Sequence, residues 1–517
     1  MLMDTKISLA LYRGHTHAEL AMMPNSPMAR IVGNWARDVL AEHEWVKEGR
    51  HWDKIAQKLI YIPRGYWKLS KMYCRYDGAT NRMHIPIAYA DDLIKVLKDW
   101  NVDVRDLSLP DYPLRKIKIK MQPGWKDQAH QVELIKKCSE PTFGMKGLAM
   151  QTGKGKTYSA TKAAVNLGYA TMVIAPNSLP QQWLNSIREQ TDATSEEVYK
   201  IEGFETLAAL AKHPEYKPSI FVANIKTMQI FQKGEDNYDL LPWDYRTFFK
   251  EYGIGTKIVD ECHLNFHATS IMDLETNVPY NLYCSATFDQ TKRDAKAIFD
   301  RVYPPAIRYG IESYDKYVKV VWLNHAQGEV MERKCIRGGM YMHVLYEKEL
   351  LKSKQKLEHH VKNIIEPALN QFFINKRQDG NKCLIFCSGV EFATSVAEVL
   401  GFDYPTCKVR AFTANSKLDV IKDADIIVST LGKSSTGLDV KGLILAINTV
   451  SIRTPVLTNQ MLGRLRKING TELVYVDMCD VNINAHIRHA SVRKETMRSL
   501  ALKFYEINGW HDSRPFQ

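Results

Sequence analysis

An α/β protein with two parallel-sheet lobes and a small α+β domain ahead of them is the fold this sequence predicts. Three observations carry it. Between about 125 and 300 the short apolar segments GLAM, TMVIAP, SIFVAN, TKIVDE and NLYCSAT alternate with helix-length stretches. Short buried strands separated by helices form parallel sheets with crossover connections. The same rhythm returns after 380 in KCLIFCS, VRAFTA, ADIIVST, LILAINT and ELVYVDM. The first 112 residues lack it and mix helical with strand-like patterns.

Taken in order, WARDVLAEHEWVKEG (35–49) has the spacing of an amphipathic helix. KLSKMYCRY, the turn DGATN and RMHIPI read as a hairpin. ADDLIKVLKDW opens with acids, as a helix does, and VDVRDLSL follows as a strand. Residues 110–125 hold three prolines and alternate basic with apolar residues, which predicts an extended connector. The expected division is an accessory domain at 1–112 with possible DNA binding and a first lobe at 113–305. A linker with a long, proline-kinked charged helix (347–377) is expected over 306–380, then a second lobe at 381–517 with a helical extension.

Composition narrows the function class. The 70 basic and 58 acidic residues leave a net charge of +12 and a pI near 9.0, which favours polyanionic partners. The longest apolar runs, such as GLILAI, fall far short of the roughly 18 residues a membrane span requires. No basic start with an apolar core marks the opening residues, and the nine cysteines include no C-x-x-C. A cytoplasmic protein with reduced thiols is expected, without disulfides or zinc; if phage-encoded, it would work in the host cytosol.

The chemistry falls at strand ends, where parallel sheets place ligands. After GLAM comes Gln151-Thr152-Gly153-Lys154-Gly155-Lys156-Thr157. Backbone N–H groups of such a turn, opening a helix, can surround phosphate oxygens. Lys156 would place a charge on the β- and γ-phosphates, and Thr157 would ligate Mg²⁺. The pattern G-x-x-x-x-G-K-[ST] calls for a glycine where Met150 stands. After TKIV comes Asp260-Glu261-Cys262-His263, adjacent acids of which one can hold Mg²⁺ and the other polarise a water. CSATF brings Ser285 and Thr287 to the next strand end, and QMLGRLRK sets Arg464, Arg466 and Lys467 around a glycine.

In this order the segments resemble superfamily 2 helicases and translocases, whose two RecA-like lobes clamp ATP between them. QTGKGKT is similar to their P-loop, where a first residue other than glycine is common. VDECH resembles the Walker B box, SAT the third motif, APNSLPQQW motif Ia in the form of duplex-DNA translocases, and HQVELI the adenine-reading glutamine motif. CLIFCSG, STLGKSSTGLDV and QMLGRLRK resemble motifs IV, V and VI. The resemblance spans about 123–480 and implies ATP and Mg²⁺ as cofactors. It assigns ATP binding to Gln131, Thr152, Gly153, Lys154, Gly155, Lys156, Thr157, Gly437 and Asp439, with Thr157 and Asp260 on the metal. Catalysis falls to Lys156, Asp260, Glu261, Gln460, Arg464 and Arg466, and coupling to His263, Ser285 and Thr287. Asn177, Thr227, Ser388 and Thr430 would hold nucleic-acid phosphates.

Two departures stand. Arg466 lies six residues after Gln460 rather than seven, which leaves the finger open between Arg464 and Arg466. Gln128 and Ala129 replace the usual basic-aromatic lead of the glutamine motif. The amino-terminal block resembles in pattern the accessory domain of phage branch-migration helicases of the UvsW type. There Tyr66, Trp67 and Lys68, among interleaved aromatics and cations, would stack on bases, unless the aromatics pack inward. A monomeric helicase acting on branched or forked DNA is expected, in recombination or repair and without membrane partners. An RNA helicase of the same superfamily, or a nucleotide-switched clamp that does not translocate, remains open.

Overall fold

The computed structural model describes residues 7–509 except 54–56, 152, 178, 291, 311–315, 327–329, 415, 417–418, 435–439 and 469. It divides into two compact units, residues 1–150 with 155–311, and residues 151–154 with 312–517. Among the described residues, no helix is long and apolar enough to cross a membrane.

The first unit is built on seven parallel strands in the order Val198–Ile201, Ile220–Asn224, Ala170–Ala175, Ile254–Asp260, Tyr280–Ser285, Gly144–Ala149 and Arg308–Gly310. Every residue of the Ala170–Ala175, Ile254–Asp260 and Tyr280–Ser285 strands is buried. Helices cover both faces of such strands, which is why they read as unbroken apolar runs. The five segments expected as strands here are strands. Val198–Ile201 and Arg308–Gly310, short edge strands, were not expected.

Ahead of this sheet lies a five-stranded one, ordered Arg75–Asp77, Arg82–Pro86, His17–Ala21, Ser8–Arg13 and Asp103–Ser108, antiparallel except for its last pair. Its helix Pro27–Val39 starts at Ser26, whose hydroxyl accepts from Ala29 N at 3.1 Å, with Pro27 at the first helical position. The Ala90–Asp99 helix and the Asp103–Ser108 strand fall where expected. Leu11, Leu20, Ile85 and Leu93 share one core with Val259, Phe266, Phe299 and Tyr303, so this sheet is welded to the lobe. Thr16 Oγ1 donates to Asp273 O at 2.8 Å, and His84 Nδ1 donates to Leu274 O at 2.8 Å.

Two expectations fail here. The helix ends at Leu40, whose N–H bonds Ala36 O, and Ala41–Val46 is instead a strand paired with Tyr66–Met72. Cross-strand pairing and the seat of Glu42 against Tyr73 override a locally helical spacing. Of the expected hairpin, only Arg75–Asp77 pairs with Arg82–Pro86. Ala41–Val46 and Tyr66–Met72 thus form a two-stranded ribbon, and Gly49–Asp53 with Lys58–Ile62 form a separate two-stranded pair in the sequence between them.

The second unit holds another seven-stranded parallel sheet, ordered Val409–Phe412, Ile426–Thr430, Lys382–Cys387, Leu443–Asn448, Leu473–Asp480, Val318–His325 and Lys503–Asn508. Two seven-stranded parallel sheets make this an α/β chain of two RecA-like lobes with a small mixed-sheet domain in front. The segment expected as linker corrects to sheet over Val318–His325, which pairs with Leu473–Asp480 on one side and Lys503–Asn508 on the other. The long charged helix is broken at Lys352-Ser353, and beyond Lys354 it runs through wider π-helical turns on both sides of Pro367. Proline cannot donate to the turn before it, and the wider turns absorb the mismatch. The expected helical extension ends in the strand Lys503–Asn508, which follows the helix Asn484–Leu500.

Burial at the junction of the mixed sheet and the first lobe has a titration consequence. It pushes His84 down to about 4, against the pull of Leu274 O and Glu19 and with Arg246 and His17 adding to the depression. The unfolded imidazole protonates near 6.5, so stability is complete above that pH and is lost as pH falls toward 4. The unfolding free energy of the first unit, from urea titrations, should fall by about 2 kcal/mol between pH 7.5 and pH 5 on account of this residue. His84→Asn should flatten that slope; an unchanged slope refutes the assignment.

Candidate functional site

Three neighbouring strands of the first sheet end level with one another. Asp260 stands opposite Cys284, and Ala149 opposite Ser285, so the turns after all three strands meet at one edge. The turn after Gly144–Ala149 leads into the helix Lys156–Leu167, flanked by Gly155 (φ 83°) and Gly168 (φ 74°). Gly153 (φ 84°) and Gly155 both occupy the left-handed region, and a Cβ on Gly155 would run into Gln131 Nε2. Gln131 is buried and accepts from Gln128 N at 2.9 Å, closing a capping box at the start of the Ala129–Cys138 helix. Met150 is fully buried in the lobe core beside Leu148, Val173 and Cys284, with its N–H on Ser285 O at 3.0 Å. Its φ is not positive, so this position has no need of glycine. Lys154 and Thr157 are partly exposed along the turn, and Thr152 lies outside the described residues.

Lys156 is the focus. Its Nζ lies 3.1 Å from Asp260 Oδ1 and donates to Glu261 Oε1. The three side chains are only 10%, 5% and 15% exposed. Burial disfavours the ammonium, but Asp260 and then Glu261 outweigh it and hold Lys156 charged, above its ordinary range. Asp260 Oδ2 accepts from Trp183 Nε1 at 2.9 Å, and Oδ1 accepts from Glu261 N at 2.9 Å. Glu261 has φ 47°, uncommon for a side-chain-bearing residue, at the point where two adjacent acids turn different ways. Sequence reasoning missed Trp183. Its signal was available, since a buried indole N–H needs an acceptor.

His263 Nδ1 sits 2.8 Å from Ser285 Oγ and 3.4 Å from Glu261 Oε2. Ser285 Oγ already donates to Thr287 O at 2.6 Å and accepts from Thr287 N at 2.9 Å. The network therefore assigns the proton to Nδ1, which donates to Ser285. Burial pushes His263 down to about 4, so it is neutral near pH 7. The structure thus brings His263, Ser285 and Thr287 together with Glu261.

In the second unit, Gln460 on the helix Pro455–Leu462 is buried, and its Oε1 has no hydrogen-bond partner among the described residues. Arg464 is buried and Arg466 half-buried in the turn beyond that helix. Gly437 and Asp439 lie outside the described residues. Ser388 closes the Lys382–Cys387 strand, and its N–H donates to Glu347 Oε1 at 2.6 Å while Gly389 N donates to Oε2 at 2.5 Å. Burial pushes Glu347 up to about 8, against those two N–H groups. Nothing in the sequence signals Glu347, which lies on the separate helix His343–Leu351. Thr430 is buried at the end of its strand.

Of the expected nucleic-acid contacts in the first unit, Asn177 is exposed beyond Ala170–Ala175. Thr227 is buried near the start of its helix, where its hydroxyl oxygen accepts from Gly203 N at 3.2 Å and its N–H donates to Asn224 Oδ1. Tyr66 and Trp67 are 47% and 67% exposed and Lys68 is exposed, so those aromatics do not pack inward.

Residues 124–290 match the family described as "Type III restriction enzyme, res subunit". No curated protein sequence matches the chain. Among solved structures, S. cerevisiae Dbp5 bound to RNA and ADP BeF3 is similar at 12% identity and TM-score 0.49, over 74% of this chain and 90% of that one. T4 UvsW is similar at 13% identity and TM-score 0.31, over 97% of this chain and 100% of that one. The helicase domain of Pyrococcus furiosus Hef is similar at 13% identity and TM-score 0.44, over 71% of this chain and 98% of that one. With the res-subunit family matched across the segment that holds Lys156, Asp260 and Ser285, the resemblance of this chain to superfamily 2 helicases stands.

Proposed function

We propose that the chain is an ATP-dependent DNA helicase or translocase that remodels branched DNA. The observation that carries the reading is Lys156, buried and held on Asp260 and Glu261 at the level ends of parallel strands. Backbone N–H groups of Gly153–Thr157, at the start of a helix, would take phosphate oxygens. Lys156 would exchange its carboxylate partners for those oxygens, freeing Asp260 and, with it, the Thr157 hydroxyl to hold Mg²⁺. The metal, when bound, neutralises charge on the phosphate oxygens. Glu261, once released from Lys156, orients a water for in-line attack on the γ-phosphorus and takes its proton, yielding ADP and inorganic phosphate.

His263 then matters as a relay. Its Nδ1–H faces both Glu261 and Ser285, so loss of the phosphate is felt in the Ser285–Thr287 turn. Family resemblance assigns the developing charge to Arg464 or Arg466, with Gln460 beside them, and nucleotide contact to Gln131. DNA as partner is supported by the net charge of +12 and by the exposed Tyr66, Trp67 and Lys68 of the accessory region. A monomer acting in the cytoplasm, with an accessory region up to about 112 and the two lobes divided near 305, completes the reading.

Lys156→Ala should lower ATP hydrolysis more than about 100-fold while fork-DNA affinity, read by anisotropy, stays within a few-fold. An ATPase that survives this change removes the site. Glu261→Gln should cost about 10²–10⁴ in kcat, with nucleotide still bound. Gly155→Ala needs φ near +83° and space that Gln131 fills. Its nucleotide affinity should drop more than tenfold in calorimetry, with the thermal midpoint shifting only a few degrees. ATPase rates with no nucleic acid, single-stranded DNA, duplex, four-way junction and matched RNA then choose the substrate. Strongest stimulation by RNA would replace the DNA reading with an RNA helicase; none would favour a clamp.

A further inference from the structure

The ribbon of Ala41–Val46 and Tyr66–Met72 presents a surface that the ATPase site does not explain. Its strands pair from Ala41 with Met72 to Val46 with Tyr66, and a separate strand pair runs from Gly49 with Ile62 to Asp53 with Lys58. Successive side chains on a strand point to opposite faces, so four consecutive exposed residues leave both faces open. Tyr66, Trp67, Lys68 and Leu69 are such a run. A two-stranded ribbon is marginal in water on its own. Its root supplies the missing support. Glu42 is buried there, accepting from the Tyr73 hydroxyl and pairing with Lys71 at 3.4 Å and Lys292 at 3.6 Å. His43 N donates to Asp294 Oδ2 at 3.0 Å.

Trp45 and Trp67 lie directly opposite each other on this ribbon. Their rings are 5.4 Å apart in an edge-to-face arrangement, yet 50% and 67% of each residue is exposed. Gly65 explains why Trp45 holds still. A Cβ there would come within 2.5 Å of Trp45 Cζ2 and 3.2 Å of Val46 O, so the indole rests against bare backbone. The pair is thus a preset aromatic platform in water. Tyr61 (68% exposed) and Leu69 (41%) extend the apolar surface. Seven Lys or Arg against four Asp or Glu over 41–72, with Glu42 committed to the root, favour a polyanion as occupant. Aromatic rings set among cations fit bases that are unpaired and free to stack, and fit a closed duplex poorly.

We infer that Trp45 and Trp67, braced by Gly65, form a wedge that stacks on unpaired bases where a duplex opens at a branch. This rests on the nucleic-acid reading above and names what the ribbon recognises within it. The root ties that contact to the motor, because Lys292 and Asp294 stand at the head of the helix Arg293–Val302, just beyond the Ser285–Thr287 turn.

The test uses the full-length protein with a DNA fork, a blunt duplex of the same length and a matched RNA fork. The fork carries 2-aminopurine at the first unpaired position. Wild-type protein should alter that base's fluorescence, and Trp45→Ala/Trp67→Ala should abolish the change. The double variant should also bind the DNA fork at least tenfold more weakly, with duplex affinity changing less than twofold. Trp67→Phe should restore most of the fluorescence change, because a smaller ring still stacks; Gly65→Ala should weaken it by displacing Trp45. Thermal midpoints of the variants report whether they fold, and the single substitutions serve if the double variant does not. Equal losses on fork and duplex, or an unaltered 2-aminopurine signal, overturn the wedge while leaving the ATPase reading intact. An ATPase deaf to every nucleic acid overturns the function itself. A response to the RNA fork alone keeps the stacking surface and moves its ligand from DNA to RNA.

Discussion

The ammonium of Lys156, held on Asp260 and Glu261 below the surface of the first lobe, is the interaction on which the site depends. An unpaired charge at that depth would cost several kcal/mol. Two carboxylates arriving from a second strand end remove the cost, and they arrive because the sheet is parallel and its strands end level. Trp183 then fixes one carboxylate from the far side, and Glu261 turns through a positive φ so that its neighbour and itself do not compete for one position. The lysine is therefore neutralised by the same two groups that a bound phosphate would set free.

Much of this was legible because central strands of a parallel sheet are buried on both faces. TMVIAP, TKIVDE and NLYCSAT could not be read as anything else, and the residues that follow such strands are the ones that reach a ligand. What escaped was decided by distant partners. Val198–Ile201 and Lys503–Asn508 sit at sheet edges, where half-exposed residues leave no apolar run. Val318–His325 does read as apolar, but nothing local says that it inserts between two strands of the second sheet. Ala41–Val46 carries a helical spacing that the pairing with Tyr66–Met72 overrules. Which acceptor Trp183 finds, and that Thr227 accepts from Gly203 N, are likewise set by partners far away in the sequence.

The two lobes use the same local device to different ends. In the first, glycines at positive φ shape the turn before the Lys156–Leu167 helix, where Lys154 N donates to Gln151 O at 3.2 Å. In the second, the turn before the Val390–Asp403 helix is already filled, since the Ser388 and Gly389 N–H groups close on Glu347. Burial holds that carboxyl near 8, against the two N–H groups it accepts from, so near neutral pH it sits close to its own titration. A backbone phosphate and a carboxylate ask for the same two donors. Ser388 is thus a contact that nucleic acid would have to contest with the protein itself, unlike the phosphate turn of the first lobe.

The amino-terminal region is tied to the first lobe at two places. Its mixed sheet shares one hydrophobic core with the first lobe, and His84 and Thr16 bond the backbone near Asp273. Asp273 in turn pairs with Lys257 of the strand that ends in Asp260, and Tyr283 of the neighbouring strand donates to it at 2.6 Å. The ribbon root grips the lobe separately, through Glu42 and Asp294, just past Thr287. One connection therefore runs to Asp273, which Lys257 of the acidic strand and Tyr283 of its neighbour both contact, and another runs through His43 N to Asp294 at the start of the Arg293–Val302 helix.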